Sequence, residues 1–156
     1  MPYTLVVVDM QTQFRASRKR KTINACKEAI IKAINDEAII VYLEYIGCGR
    51  TMKSLVDLTD AYENVFFIRK QGCDGSGELK VLNDVLHIEH FKVVGVNTDM
   101  CVEETVFGIN EVYPEAVIEI IEQGCNSECG HERGIQNMLE CKQVVVNRAP
   151  AVNVKQ

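Results

Sequence analysis

Apolar positions along this chain follow two rhythms that alternate from one end to the other. Residues 3–9 (YTLVVVD) form a continuous apolar run, the pattern of a strand buried on both faces, and 38–46 (AIIVYLEYI) reads as a second. Between them, 22–36 (TINACKEAIIKAIND) repeats apolar residues at helical spacing, with Thr22 placed to cap the helix. Gly47 and Gly49 break the chain, 51–62 reads as a short helix, and 64–70 (NVFFIRK) is a third strand ending in a basic pair. A turn-rich stretch, QGCDGSG, leads into a short helix over 78–86. The second half repeats the rhythm: strand 91–97, helix 99–113 stopping before Pro114, strand 116–122, helix 130–142 and strand 143–147. Strands apolar on both faces and separated by helices predict an α/β domain, a three-layer, Rossmann-like fold with a mainly parallel sheet of about six strands. No linker or internal repeat divides residues 1–156, so a single domain is expected.

Composition narrows the class without changing it. Hydrophobic residues make up 47% and charged residues 25% of the 156, as in a water-soluble globular protein. No apolar run approaches the roughly 20 residues of a membrane span. The opening MPYTLVVVDM has no basic stretch before its apolar run and reads as a strand rather than a signal peptide, so a cytoplasmic address is expected and no membrane partner. The seven cysteines are odd in number and fit reduced, mostly buried thiols. A net charge of −5 argues against nucleic-acid binding by the surface as a whole. One stretch runs the other way: 15–21, RASRKRK, is either a solvated loop leading into a helix or an electrostatic collar for an anionic substrate or partner.

In such sheets ligands bind beyond the carboxyl ends of the strands. The first strand ends there at Asp9, the third at Arg69 and Lys70, and the fourth leads through Asn97, Thr98 and Asp99 to Cys101. A carboxylate, an ammonium and a thiol at one edge suit a nucleophilic hydrolase. A cysteine at a helix start, beside a lysine, is expected to hold its thiol below the ordinary value of about 8.5. A nearby carboxylate can take the thiol proton and later return it to a leaving amine, while main-chain N–H groups polarise the carbonyl. Singly, each residue has an ordinary structural explanation; the combination at three strand ends is what points to chemistry.

The sequence around these residues resembles the isochorismatase-like cysteine hydrolases. VVVDMQTQF (6–14) is similar to that family's opening Asp-x-Gln-x-x-Phe, met here by Asp9, Gln11 and Phe14. VVGVNTDMCVEETVFGINE (93–111) is similar to its nucleophile segment through Gly95, Thr98, Cys101, Val102 and Thr105, and FIRKQGCDGSGELKVL (67–82) places Lys70 where the family carries a lysine. The resemblance covers nearly the whole chain. It implies a strand order 3-2-1-4-5-6 and catalytic roles for Asp9 as base then acid, Lys70 as electrostatic support and Cys101 as nucleophile. It also implies a non-proline cis peptide at Val96–Asn97, an oxyanion-binding turn reaching Met100, a small-molecule amide substrate and a homo-oligomer. Phe14, Arg50 and Arg69 are the residues placed to line a substrate pocket.

Parts of the family pattern are missing. Its metal-using nicotinamidases carry an Asp-x-His pair and a further His after the second strand, whereas 41–54 (VYLEYIGCGRTMKS) contains no histidine. No metal and no cofactor are therefore expected. GCDGSGEL lacks the family's aromatic after the lysine, so the substrate is not identified. A structural zinc on Cys125, Cys129, His131 and Cys141 has an uncommon spacing, and a turn before a helix is the plainer reading. Two functions follow: a metal-independent cysteine amidohydrolase, or a catalytically silent member that binds a small molecule or protein. A vinyl ether hydrolase is a lesser alternative, because that chemistry needs no thiol.

Overall fold

The computed structural model describes residues 2–148. Six strands, β1 (Thr4–Val8), β2 (Ile39–Tyr45), β3 (Val65–Lys70), β4 (His90–Val96), β5 (Val117–Asn126) and β6 (Val144–Asn147), build one sheet. Their order is β3-β2-β1-β4-β5-β6 and every neighbouring pair is parallel, the sheet that the alternation and the resemblance together predict. The helices are α1 (Arg20–Asn35), α2 (Lys53–Val56), α3 (Ser76–Leu86), α4 (Glu103–Val112) and α5 (His131–Met138).

Period-two side-chain alternation sends the two faces of the sheet into separate cores. Val6, Val8, Val41, Leu43, Val93, Ile118 and Ile120 pack with Leu79 of α3, Val106 and Ile109 of α4, and Ile135 and Met138 of α5. Leu5, Val7, Ile40, Tyr42, Val94 and Val96 pack with Cys26, Ile30 and Ala33 of α1 and Leu55 of α2. Each central strand is thus buried on both sides, which is why its sequence lacks alternation. β3 is an edge strand, and its Phe66 and Phe67 stay partly exposed.

Several boundaries differ from the sequence reading: β5 runs on to Asn126 instead of ending at 122, α5 stops at Met138 instead of 142, and α3 starts at Ser76 instead of 78. α1 begins at Arg20, with Lys19 at the cap position and no side-chain cap bond, so Thr22 lies inside the first turn instead of capping it. The apolar stripe that signals the helix starts only at Ile23, whereas the basic residues before it are good helix formers with no stripe to display. Residues 51–62 hold only the single turn of α2 and a 3₁₀ turn, Asp57–Thr59. The 99–113 helix is divided, with a π turn over Thr98–Val102 preceding α4.

The order reverses direction between β1 and β4, the two strands that diverge to opposite halves of the sheet. Val8 lies opposite both Leu43 and Gly95, and Tyr45 lies opposite Lys70. The ends of β1, β3 and β4 are thereby gathered at one edge.

Candidate active site

Asp9 follows β1 directly, and its backbone turns sharply there, at φ 51°. The main-chain N–H of Asp9 donates to the Leu43 carbonyl at 3.0 Å, which fixes that turn against β2. Gly95 sits beside it at φ 129°, and a Cβ at this position would drive into the Val8 carbonyl. Only glycine allows β4 to lie this close to the end of β1. The Val96–Asn97 peptide that follows is cis, and the π turn carrying Cys101 begins at Thr98.

Lys70 is fully buried, yet every direction open to its ammonium is occupied. Nζ lies 3.2 Å from Asp9 Oδ2, donates to the Gly72 carbonyl at 2.9 Å and sits 4.4 Å from the centre of the Tyr45 ring. A buried ammonium needs such compensation, since an unpaired one would be costly to desolvate. Tyr45 is held in turn by Gln11, whose side chain accepts from Tyr45 N at 2.9 Å and donates to the carbonyls of Tyr45 and Gly49. Phe14 meets the Tyr45 ring edge-on at 6.3 Å. Gln11 and Phe14 therefore act through Tyr45, as supports beneath the lysine.

Asp9 is 1% exposed and its two oxygens have unequal fates. Oδ2 takes the lysine; Oδ1 is buried with no hydrogen-bond partner among the described residues. The Cys101 thiol faces this carboxylate, and the Cys73 thiol lies beside Cys101. Burial raises the Asp9 pKa, against the lowering influence of Cys101 and Lys70. Burial also raises the Cys101 thiol, followed by the neighbouring Asp9 charge, and Lys70 only partly offsets them. The sequence reading expected a depressed thiol. The direction is reversed because Cys101 itself is buried and faces the Asp9 carboxylate as well as the Lys70 ammonium. One lysine cannot balance two buried anions, so burial and mutual repulsion disfavour ionising Asp9 and Cys101 together.

The turn that carries Cys101 is supported from behind by α5. Thr98 Oγ1 is 2.8 Å from His131 Nδ1, and His131 Nε2 is 3.0 Å from Glu122 Oε2. Asp99 accepts from Ser127 Oγ at 2.6 Å and pairs with Arg133 at 2.7 Å. Its partial burial is outweighed by the hydrogen bonds from Ser127, its own backbone N–H and Arg133, so its carboxyl lies below the ordinary value. At Gly134 an added Cβ would stand 2.7 Å from the Thr98 carbonyl carbon and 2.8 Å from Asp99 N, so α5 touches the turn backbone to backbone.

Other sequence-selected residues have different company. The Met100 amide, expected to polarise a carbonyl, donates to the Asn97 carbonyl at 3.0 Å and is engaged within the turn, although its side chain is exposed. Arg50 and Arg69, expected along a substrate pocket, lie 3.5 and 3.9 Å from Glu44 Oε1. Sequence reading missed Glu44, a carboxylate 1% exposed inside an apolar strand, also bonded by the Thr51 amide and hydroxyl at 2.8 Å each. The signal was a single charge at a buried-strand position, followed by Arg50 and Thr51. Cys125 donates to the main-chain carbonyls of Val93 in β4 and Ile121 in β5 and Cys129 is exposed, and among the described residues these side chains form no metal-holding group with His131.

With the fold and this geometry in view, the family match is decisive. The isochorismatase domain model matches residues 3–146. The chain belongs to the isochorismatase family. Among solved structures it is similar to the nicotinamidase of Staphylococcus aureus, at 23% identity and TM-score 0.82, covering 94% of this chain and 100% of that one. It is also similar to a ribonuclease of Caenorhabditis elegans (16%, TM-score 0.82, 94% and 77% covered). A third is the pyrazinamidase of Pyrococcus horikoshii in complex with zinc (16%, TM-score 0.76, 96% and 100% covered). Among curated proteins, none matches this sequence. At these identities the structural likeness establishes the fold.

A metal centre does not fit the residues of this isochorismatase-family chain. Where β2 ends, Tyr45 and a histidine-free loop stand, and the nearest carboxylate, Glu44, is taken up by Thr51, Arg50 and Arg69. Asp9 faces an ammonium rather than further ligands. Among the described residues no three His, Cys, Asp or Glu side chains form a metal-holding group.

Proposed function

We propose that this protein is a cysteine hydrolase cleaving an amide or related C–N bond of a small molecule through a Cys101 thioester. The observation that carries the proposal is the buried, unpartnered Oδ1 of Asp9 beside the thiol. A buried acceptor whose one neighbouring donor is the Cys101 thiol is set to take that proton. Attack by Cys101 Sγ on the carbonyl carbon forms the C–S bond while its proton passes to Asp9. Asp9 then returns the proton to the leaving nitrogen, the C–N bond breaks, and ammonia or an amine departs. Water attacks the thioester as Asp9 takes one of its protons; the C–S bond breaks, the acid leaves, and the thiol recovers its proton from Asp9.

Lys70 stays protonated throughout and stabilises whichever of Asp9 and Cys101 is the anion. Because the pair exchanges one proton, net charge in the closed site stays constant, which suits a water-poor cavity. Main-chain amides of the 97–101 turn, other than that of Met100, polarise the carbonyl. No step uses a metal. We assign Phe14, Met100, Arg50 and Arg69 to the substrate's approach, the two arginines lying against Glu44. The exposed Phe66, Phe67, Val81 and Val85 on β3 and α3 support assembly into a homo-oligomer.

The test is a screen of small primary amides and ureido compounds for ammonia release, with Cys101→Ala as the control. The proposal expects turnover abolished by Cys101→Ala and an acyl adduct on the wild-type Cys101 peptide at early times. Turnover that survives Cys101→Ala would refute it. The reading as a silent binding module predicts ligand binding with no adduct.

A further inference from the structure

The basic run at 15–21 plays no part in the trio, and its surroundings are organised around an anion. A cavity of about 420 Å³ opens beside β5, with Lys19, Lys21, Thr22, Glu122, His131 and Arg148 on its walls. Four independent features meet there. The start of α1, a helix of 16 residues, carries no side-chain cap and no acidic residue in its first turn, so its leading N–H groups and positive dipole end are uncompensated. Thr22 is 3% exposed and lines the cavity, and its hydroxyl has no hydrogen-bond partner among the described residues. Lys19 and Lys21 have no carboxylate within ion-pair distance among the described residues, in a chain of net charge −5. The one carboxylate on the wall, Glu122, already has partners, with the His131 ring at 3.0 Å and Arg148 paired to it at 3.3 Å.

We propose that this cavity binds the phosphate group of a small phosphorylated molecule, held by the α1 amides, the Thr22 hydroxyl and the Lys19 and Lys21 ammonium groups. A helix start supplies donors in the geometry that phosphate oxygens accept, and flanking lysines add charge-assisted bonds. A threonine almost wholly buried on the cavity wall, its hydroxyl without a protein partner among the described residues, distinguishes this place from a merely basic surface. Asp9, Lys70 and Cys101 do not line the cavity, so the proposal does not depend on the hydrolase reading. The two share a wall, because His131 reaches both the cavity and Thr98 of the nucleophile turn.

Pyrophosphate is the probe, followed by titration calorimetry on the full chain at about 0.1 M salt, where non-specific attraction between exposed charges is largely screened. Saturable one-to-one binding is expected. Lys19→Ala/Lys21→Ala should weaken it about tenfold or more and Thr22→Val about fivefold, in keeping with the loss of charge-assisted hydrogen bonds. Lys80→Ala, at an i,i+4 surface pair on α3, should change it less than about twofold. Circular dichroism confirms that each variant is folded, and Thr22→Val, nearly isosteric, separates a lost hydroxyl from a lost fold. Absence of saturable binding up to about 5 mM, a weak affinity on the scale of small-ligand sites, would overturn the proposal. So would binding untouched by Thr22→Val and the lysine pair, binding of citrate alone, or binding of a short single-stranded RNA without pyrophosphate.

Discussion

Asp9 and Lys70 can be tested as a unit through stability as well as catalysis. Asp9→Asn and Lys70→Met each remove one charge from a pair 3.2 Å apart whose members are 1% and 0% exposed. Because neither partner is near water, solvent screening offers little relief. Breaking a buried pair from one side costs about 3–5 kcal/mol, whereas replacing both partners is often close to neutral. For a chain of this length that single-variant loss lowers Tm by about 10 °C or more. The double variant should recover most of it, leaving a coupling energy of about 2 kcal/mol or more. Lys70→Met adds a pH signature. Burial already raises the Asp9 carboxyl and Lys70 opposes that rise, so without lysine it climbs further. A group whose folded pKa is raised stabilises most below its unfolded value, about 3.9, and that contribution is lost as pH rises through the folded pKa. The penalty of Lys70→Met should therefore be small near pH 4 and grow toward neutrality. Urea denaturation of the four proteins at several pH values measures both effects. Additive single-variant losses, or a penalty independent of pH, would show that these charges do not compensate one another.

Four further outcomes follow from the same geometry. Iodoacetamide should label exposed Cys129 before Cys101 at neutral pH, and Cys101 labelling should keep accelerating above pH 8.5, because burial and Asp9 raise its thiol; peptide mapping reads both. Dialysis against a chelator should leave amidase activity unchanged, with well under one metal per chain by elemental analysis. Gly134→Ala should lower kcat by about tenfold or more through displacement of the turn, as small misplacements of reacting groups do, and a structure of the variant should reveal Thr98 shifted away from α5. Sedimentation at micromolar concentration should give a dimer or larger species, and Phe67→Lys should shift it toward monomer; a monomeric wild type would refute the assembly.

How much of this was legible beforehand depended on the range over which each feature is determined. The central strands were plain because burial on both faces leaves no polar alternation, and Gly47, Gly49 and Pro114 marked breaks. That Asp9, Lys70 and Cys101 come together could be foreseen because strand ends are visible in sequence and the topology gathers three of them at one edge. The unmatched features depend on packing. The start of α1 lay hidden among basic residues with no apolar stripe. The thiol's pKa direction depended on how deeply Asp9 and Cys101 are enclosed, which no spacing reveals. Glu44 passed as part of an apolar run until Thr51, Arg50 and Arg69 came round to meet it. His131 looked like an ordinary helix start, and its bonds to Thr98 and Glu122 are tertiary.

The contact between α5 and the nucleophile turn bears on how such a protein can diversify. At Gly130 and Gly134 the space that a side chain would fill already belongs to Asp99 and Thr98, so that wall can change only by moving the nucleophile. Gly72, in the loop after β3, has open space around its Cβ position and no positive φ, so that loop can accept bulk. Mutational drift is therefore channelled to one rim. A library randomised at Ile46, Cys48, Gln71 and Gly72, sparing the positive-φ Gly47 and Gly49 and the Cys73 thiol beside Cys101, should retain many folded clones, whereas one at 130–134 should retain few, all close to the parent. The reacting groups stay constant because one wall has no room to vary, and selectivity can wander because the other does.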